Sequence, residues 1–152
     1  MAAQWLADIS NKYADKDEAL IVGLSGHLGA GKTAFVKAVG KALEIKEEVT
    51  SPTFVLMKIY EIGPNDKLGS NGGNEPSCSS SADFPWKRLI HIDAYRLERP
   101  EELEALDWEE LVADKNNMIM IEWPENVELG KAGLDALLKF EIRDNHLTVK
   151  SG

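Results

Sequence analysis

The apolar positions fall into two periodicities along the chain. Residues 2–13 place Trp5, Leu6, Ile9 and Tyr13 at helical spacing, which predicts an amphipathic helix. Residues 19–24 (ALIVGL) form a short, nearly all-apolar run with branched side chains. That pattern predicts a strand buried on both faces. A glycine-rich turn follows. Residues 32–43 then read as a second helix with Phe35, Val36, Val39, Ala42 and Leu43 turned inward. Strand, glycine turn and helix in this order make the first half of a βαβ unit. Further strands are predicted at 53–62, 88–93 and 118–122. Residues 139–143 and 146–150 flank Asp144 and Asn145, the pattern of a two-residue hairpin turn. Pro100 suits the first position of a helix, and Leu103, Leu106 and Leu111 give residues 100–114 an apolar stripe. The expected fold is α/β: a P-loop NTPase-like, three-layer arrangement with a central mixed sheet flanked by helices. A length of 152 residues predicts one domain over 1–152. Residues 63–86 interrupt it. Gly, Pro, Ser and Asn make up 15 of these 24 residues, so the segment reads as a flexible, low-complexity insertion between two strands.

Charge narrows the partners. The formal net charge is −9, which argues against strong direct binding of a nucleic-acid phosphate backbone by the bulk surface, and against anionic membranes. No apolar run approaches the ~20 residues that span a bilayer, and the first ten residues lack the basic and apolar regions of a secretory signal. With Cys78 as its one cysteine the chain builds no disulfide framework and no cysteine zinc site. A cytoplasmic location is expected.

One local pattern runs against the overall charge. Gly26, His27, Leu28, Gly29, Ala30, Gly31, Lys32 and Thr33 match G-x-x-x-x-G-K-[ST] in full, and Ala34 follows in the helix. Phosphate needs several donors at close range. Glycines let the backbone curl so that successive N–H groups point into one nest, and the helix adds its positive end. Lys32 is expected on the β- and γ-phosphates, and the Thr33 hydroxyl on Mg²⁺. The strand before the motif and the helix after it are the context this chemistry requires. ATP and Mg²⁺ are the expected ligands.

A P-loop nucleotidase also needs acids at the carboxyl edge of its sheet. Two apolar runs end in one: LIHID at Asp93 and MIMIE at Glu122. One acid would hold Mg²⁺ and the other would orient the attacking water, and the residues by themselves leave the roles open. Thr50, Ser51, Pro52 and Thr53 place hydroxyls where a switch loop could sense a γ-phosphate, or merely form a strand entry stiffened by Pro52. His91, alone on its strand, reads more readily as a core residue than as a ligand. The acids between 98 and 114 form either a solvated face or a docking face for a basic partner.

Taken together, LSGHLGAGKT, TSPTF, HIDAYRL and IEWPE, in this order, resemble the bacterial ATPases of tRNA threonylcarbamoyladenosine synthesis, the TsaE or YjeE family. The resemblance spans nearly the whole chain outside the insertion and the terminal hairpin. It implies a small ATPase that supports turnover of a threonylcarbamoyl transferase acting on tRNAs that read ANN codons. The implied partners are that transferase and its paralogue of the Hsp70 and sugar-kinase fold. It also implies phosphate and Mg²⁺ roles for Lys32 and Thr33, a switch-like loop holding Ser51 and Thr53, and Glu122 as metal ligand. Asp93 becomes a catalytic acid/base or water-mediated ligand, and Trp123 lies near the nucleotide. His27 stands where the family commonly has Asp, and the insertion is unusually long. A small-molecule kinase is the alternative enzyme, disfavoured by four arginines, none of them in the long loop. A nucleotide-dependent scaffold is the non-enzymatic one. A GTPase is disfavoured because Asn11-Lys12-Tyr13-Ala14 lacks the Asp of N-K-x-D and precedes the P-loop, while the D-x-x-G at 66–69 lies within the insertion.

Overall fold

A computed structural model describes residues 2–52, 55–63, 84–130, 133–143 and 146–151. Six strands form one sheet: β1 (Leu20–Gly26), β2 (Met57–Glu61), β3 (Arg88–Asp93), β4 (Asn117–Glu122), β5 (Ala136–Arg143) and β6 (His146–Ser151), in the order β2-β3-β4-β1-β5-β6. The inner four run parallel, and β2 and β6 pair antiparallel at the two edges. The sheet is therefore mixed, as the α/β reading requires.

Parallel strands have both faces covered, which explains why β1 and β4 are apolar at almost every position. Leu20, Val22, Leu24, Met118 and Met120 face one core together with Leu6 and Ile9 of α1 (Ala2–Lys12) and Phe35, Val36 and Val39 of α2 (Lys32–Ala42). Trp5 meets Phe35 edge-on at 5.2 Å between ring centres, and Phe35 meets Phe140 at 5.6 Å, so α1, α2 and β5 are tied by aromatic contacts. On the other face Ile21, Ile90, Ile92, Ile119 and Ile121 pack against Leu97, Leu103, Trp108 and Val127. Each fully buried Leu or Ile contributes about 1.5–3 kcal/mol, so these two clusters fix which face of the sheet takes α1 and α2 and which takes the 97–113 segment.

Three elements differ from the sequence reading. The helix expected over 100–114 is broken into two 3₁₀ turns, Pro100–Glu102 and Glu104–Leu106, and a short α3 (Trp108–Ala113). The break is at Asp107, with φ 56° and ψ 42°. In one continuous helix Leu103 and Trp108 would point about 140° apart. Breaking the chain at Asp107 lets both be buried. Strand β2 begins at Met57 rather than at residue 53. Val55 N–H closes a turn on the Pro52 carbonyl at 3.0 Å, and Leu56 has φ 63°, so the preceding residues cannot extend the ladder. Strand β5 starts at Ala136, three residues before the run expected at 139, because its first residues pair with Val22 and Gly23. The β5–β6 register joins Arg143 to His146, as a two-residue connection demands, although residues 144–145 themselves lie outside the described ones, as do Thr53 and residues 64–83 of the insertion. Among the described residues no helix is long and apolar enough to cross a membrane.

Candidate functional site

Strand β1 runs out of the core at Gly26, and the chain turns through Gly31 directly into α2. Two glycines are required by geometry. A Cβ on Gly26 would meet the Phe140 carbonyl oxygen at 2.6 Å, and Gly31 has φ 99° immediately before the helix. The Ala30 N–H donates to the His27 carbonyl at 3.1 Å and the Ala30 side chain packs into the core, so the loop is anchored from behind. Leu28 projects outward and is 66% exposed.

Lys32 is buried, and its amine closes the loop on itself. Nζ donates to the Gly26 carbonyl at 2.5 Å and to the His27 carbonyl at 2.9 Å, and it stands 4.4 Å from the centre of the Trp123 ring. Burial pushes its pKa below the ordinary lysine value, and the nearby acids Glu122, Glu125 and Asp93 pull it partly back. Trp123 reaches this place through a left-handed backbone, φ 60° and ψ 53°, pinned by its N–H to the Leu24 carbonyl at 3.0 Å and by the following Pro124.

The acids arrive by register. Asp93 ends β3, Glu122 ends β4, and the two are directly paired in the parallel ladder. Both are buried. Glu122 is held at both oxygens: the Thr33 hydroxyl donates to Oε1 at 2.8 Å, and His91 Nε2 lies 3.2 Å from Oε2. Asp93 Oδ1 accepts the Tyr95 N–H at 3.0 Å. A cavity of about 440 Å³ opens over these groups, lined by Leu28, Gly29, Gly31, Lys32, Thr33, Ala34, Ser51, Asp93, Tyr95, Arg96, Glu122 and Trp123.

Of the residues singled out from sequence, Leu28, Gly29, Gly31, Lys32, Thr33, Ala34, Ser51, Asp93, Glu122 and Trp123 line this one cavity, Gly26, His27 and Ala30 do not, and Thr53 lies outside the described residues. Thr50 is tied instead to the sheet: its N–H donates to the Tyr60 hydroxyl at 3.2 Å, and Lys58 Nζ donates to its Oγ1. Sequence reasoning set aside His91, whose ring bonds to Glu122, and gave no site role to Tyr95, whose ring lies 5.1 Å from that of Trp123. A signal for His91 was present: it stands two residues before Asp93 on a strand, hence on the same face.

The donor set suits a phosphate-bound cation rather than a protein-only metal site. Among the described residues no group of three or more His, Cys, Asp or Glu side chains could hold a metal ion. One hydroxyl and one or two carboxylates beside a phosphate loop is the arrangement Mg²⁺ takes when substrate oxygens and waters complete its shell.

Comparison with known proteins identifies the family and the fold. The model of the family "Threonylcarbamoyl adenosine biosynthesis protein TsaE" matches residues 2–150. The tRNA threonylcarbamoyladenosine biosynthesis protein TsaE of Streptomyces coelicolor is 36% identical over 106 residues, 69% of this chain and 57% of that protein. Its counterpart in Aquifex aeolicus is 34% identical over 128 residues, 83% of this chain and 71% of that one. The match thus spans only about three-fifths to seven-tenths of these relatives' length. In fold, the crystal structure of YdiB from Bacillus subtilis superposes with a TM-score of 0.50 over 94% of this chain and 74% of that one, at 21% identity. On a family match that runs from the first helix to the last strand, the chain belongs to the TsaE family of threonylcarbamoyl adenosine biosynthesis proteins.

Proposed function

We propose that the protein binds ATP with Mg²⁺ in the Lys32 cavity, hydrolyses it slowly, and through that cycle supports a threonylcarbamoyl transferase that modifies tRNAs reading ANN codons. The observation that carries the reading is the convergence of Lys32, Thr33, Asp93 and Glu122 on one cavity beside the glycine loop. Loop amides and the N-terminal end of α2 supply donors for phosphate oxygens. Lys32 exchanges its two carbonyl acceptors for phosphate, and its charge stays close by on the Trp123 face. Thr33 and Glu122, already joined, hold the magnesium. Magnesium, when bound, neutralises charge on the phosphates. Asp93, whose Oδ1 is steadied by the Tyr95 amide, orients the attacking water.

The preference for ATP over GTP follows from the Asn11–Lys12 pair, which sits in α1 and not in a loop beside the cavity. Slow intrinsic hydrolysis follows from scarce arginine: a missing arginine finger can cost roughly 10³–10⁵ in rate. Arg96 lines the cavity, but no motif in the chain marks it as a finger. The partners that would supply the missing group or reposition Ser51 at the cavity are the transferase and its paralogue of the Hsp70 and sugar-kinase fold. The net charge of −9 leaves tRNA to those partners.

The test is steady-state phosphate release by the protein alone, with tRNA alone, and with the transferase and its paralogue. The expected pattern is slow release, unchanged by tRNA and raised by the protein partners. Fast release alone, or strong activation by free tRNA, would overturn the reading. Binding without any release under all three conditions would make the protein a nucleotide-dependent scaffold.

A further inference from the structure

We infer that His91 is a positioning residue for the metal-binding carboxylate: its Nε2–H holds Glu122 Oε2, so that Oε1 and the Thr33 hydroxyl are the oxygens presented to a cation. The inference rests on the nucleotide–magnesium reading of the site and assigns a task to a residue that otherwise looks like core.

His91 has no exposed surface and Glu122 almost none. A carboxylate in such a place needs donors, because an uncompensated buried charge costs several kcal/mol. Glu122 has one donor on each oxygen, Thr33 on Oε1 and His91 on Oε2. The two donors come from different elements, α2 and β3, so they fix both the position and the rotation of the carboxylate plane. Removing either leaves one oxygen unpartnered.

The ring's other nitrogen assigns the tautomer. Nδ1 is buried and, among the described residues, has no hydrogen-bond partner. With the proton on Nδ1, the neutral ring would bury an orphan N–H and turn a bare lone pair on Nε2 toward a carboxylate oxygen. With the proton on Nε2, the donor meets the acceptor and only an acceptor lone pair is left over. The second arrangement costs less, since an unmade buried N–H forfeits its full desolvation penalty.

The backbone makes this contact reproducible. In the sheet His91 is paired with Lys58 on one side and Met120 on the other, and Asp93 with Glu122 one layer further toward the cavity. His91 therefore lies on the face of the sheet that carries both acids, one layer below them, and reaches Glu122 diagonally. A hydrogen-bonded partner behind a ligating group is how proteins commonly orient such ligands, and its loss typically costs 10–100-fold in metal affinity.

The experiment has two parts. In the ¹⁵N-labelled, nucleotide-free protein, the ring nitrogens of His91 should show the Nε2–H tautomer, a readout independent of any nucleotide. ADP affinity is then measured by calorimetry with and without Mg²⁺ for three variants. His91→Leu should lose about 10–100-fold in the Mg²⁺-dependent affinity while its Mg²⁺-free affinity stays as in the wild type. His91→Gln, whose amide places a donor near Nε2, should keep most of it. His91→Asn, whose amide sits near Nδ1, should not. A merely structural role would lower both affinities together. An Nδ1–H tautomer, a folded His91→Leu variant with wild-type Mg²⁺ dependence, or a Gln variant as impaired as Asn would each overturn the proposal. If the wild type binds no nucleotide at all, the reading of the site and the magnesium role both fall, and the ring spectrum separately decides the hydrogen bond.

Discussion

The Thr33 hydroxyl donates to Glu122 Oε1 at 2.8 Å, joining the last residue of the phosphate loop to the last residue of the strand beside β1. Neither side chain touches the other by accident of a loop: Thr33 is fixed by the start of α2, and Glu122 by its ladder pairs Leu24 and Asp93.

Substitutions at the two ends of this bond should therefore behave alike with respect to magnesium. Thr33→Ala and Glu122→Gln are expected to weaken Mg²⁺·ATP binding, to leave Mg²⁺-free nucleotide binding close to wild type, and to raise the Mg²⁺ concentration needed for hydrolysis. Asp93→Asn should instead lower kcat with binding nearly intact. A magnesium titration of the three variants checks this, and the reverse pattern would exchange the roles of Asp93 and Glu122.

Lys32 carries a desolvation cost in the folded chain. Its buried amine is harder to protonate in the folded chain than in the unfolded one. Lys32→Met should then abolish nucleotide binding and, at neutral pH, raise the melting temperature of the nucleotide-free protein. Equal or lower stability of the methionine variant would show that the Gly26 and His27 carbonyl bonds outweigh the desolvation.

The same shift sets a pH dependence. Because the folded-state pKa of Lys32 lies below the ordinary 10.5, the unfolded chain binds more protons than the folded one between the two values. The Lys32 contribution to stability is thus unfavourable below the folded pKa and lifts as pH rises through that window. Nucleotide affinity should move oppositely, since phosphate needs the charged amine. Calorimetry at several alkaline pH values, in buffers of different ionisation enthalpy, should show falling affinity and growing proton uptake on binding. In Lys32→Met, which should bind no nucleotide, the gain of stability through that window should disappear.

Gly26→Ala should destabilise the fold by about 1–3 kcal/mol, through a backbone conformation that L side chains rarely adopt and a Cβ 2.6 Å from the Phe140 carbonyl oxygen. Urea unfolding measures it. Gly29→Ala, where nothing lies within 4 Å of the added carbon, should cost less despite its φ of 77°.

Those elements that are buried on both faces were legible from their letters alone. Residues 19–24 have no polar side chain, and residues 118–122 have none until the last, Glu122. The strand, glycine turn and helix of residues 20–42 were legible because a fixed spacing of glycines sits between two apolar periodicities. What the letters hid depends on which strands become neighbours. The His91–Glu122 contact is set by the register between β3 and β4, and the Lys32–Trp123 contact by a left-handed residue after β4. No local pattern encodes either. The break at Asp107 was hidden for a related reason: the leucine stripe at 103, 106 and 111 fits a helix, but burying Leu103 together with Trp108 does not.

The strand order also fixes when, during synthesis, the cavity beside the glycine loop can exist. Both neighbours of β1 come from the far half of the chain, Leu20 pairing with Met118 and Val22 with Ala136. A ribosome that has translated the P-loop and α2 has therefore made a phosphate motif with no sheet to hold it. Such non-local pairings must wait for distant residues to appear, and they slow folding. A nascent chain arrested before β4 should neither retain nucleotide nor resist protease. Completion would come late, once β4 and β5 have emerged, so that an incomplete copy would lack the proposed nucleotide site.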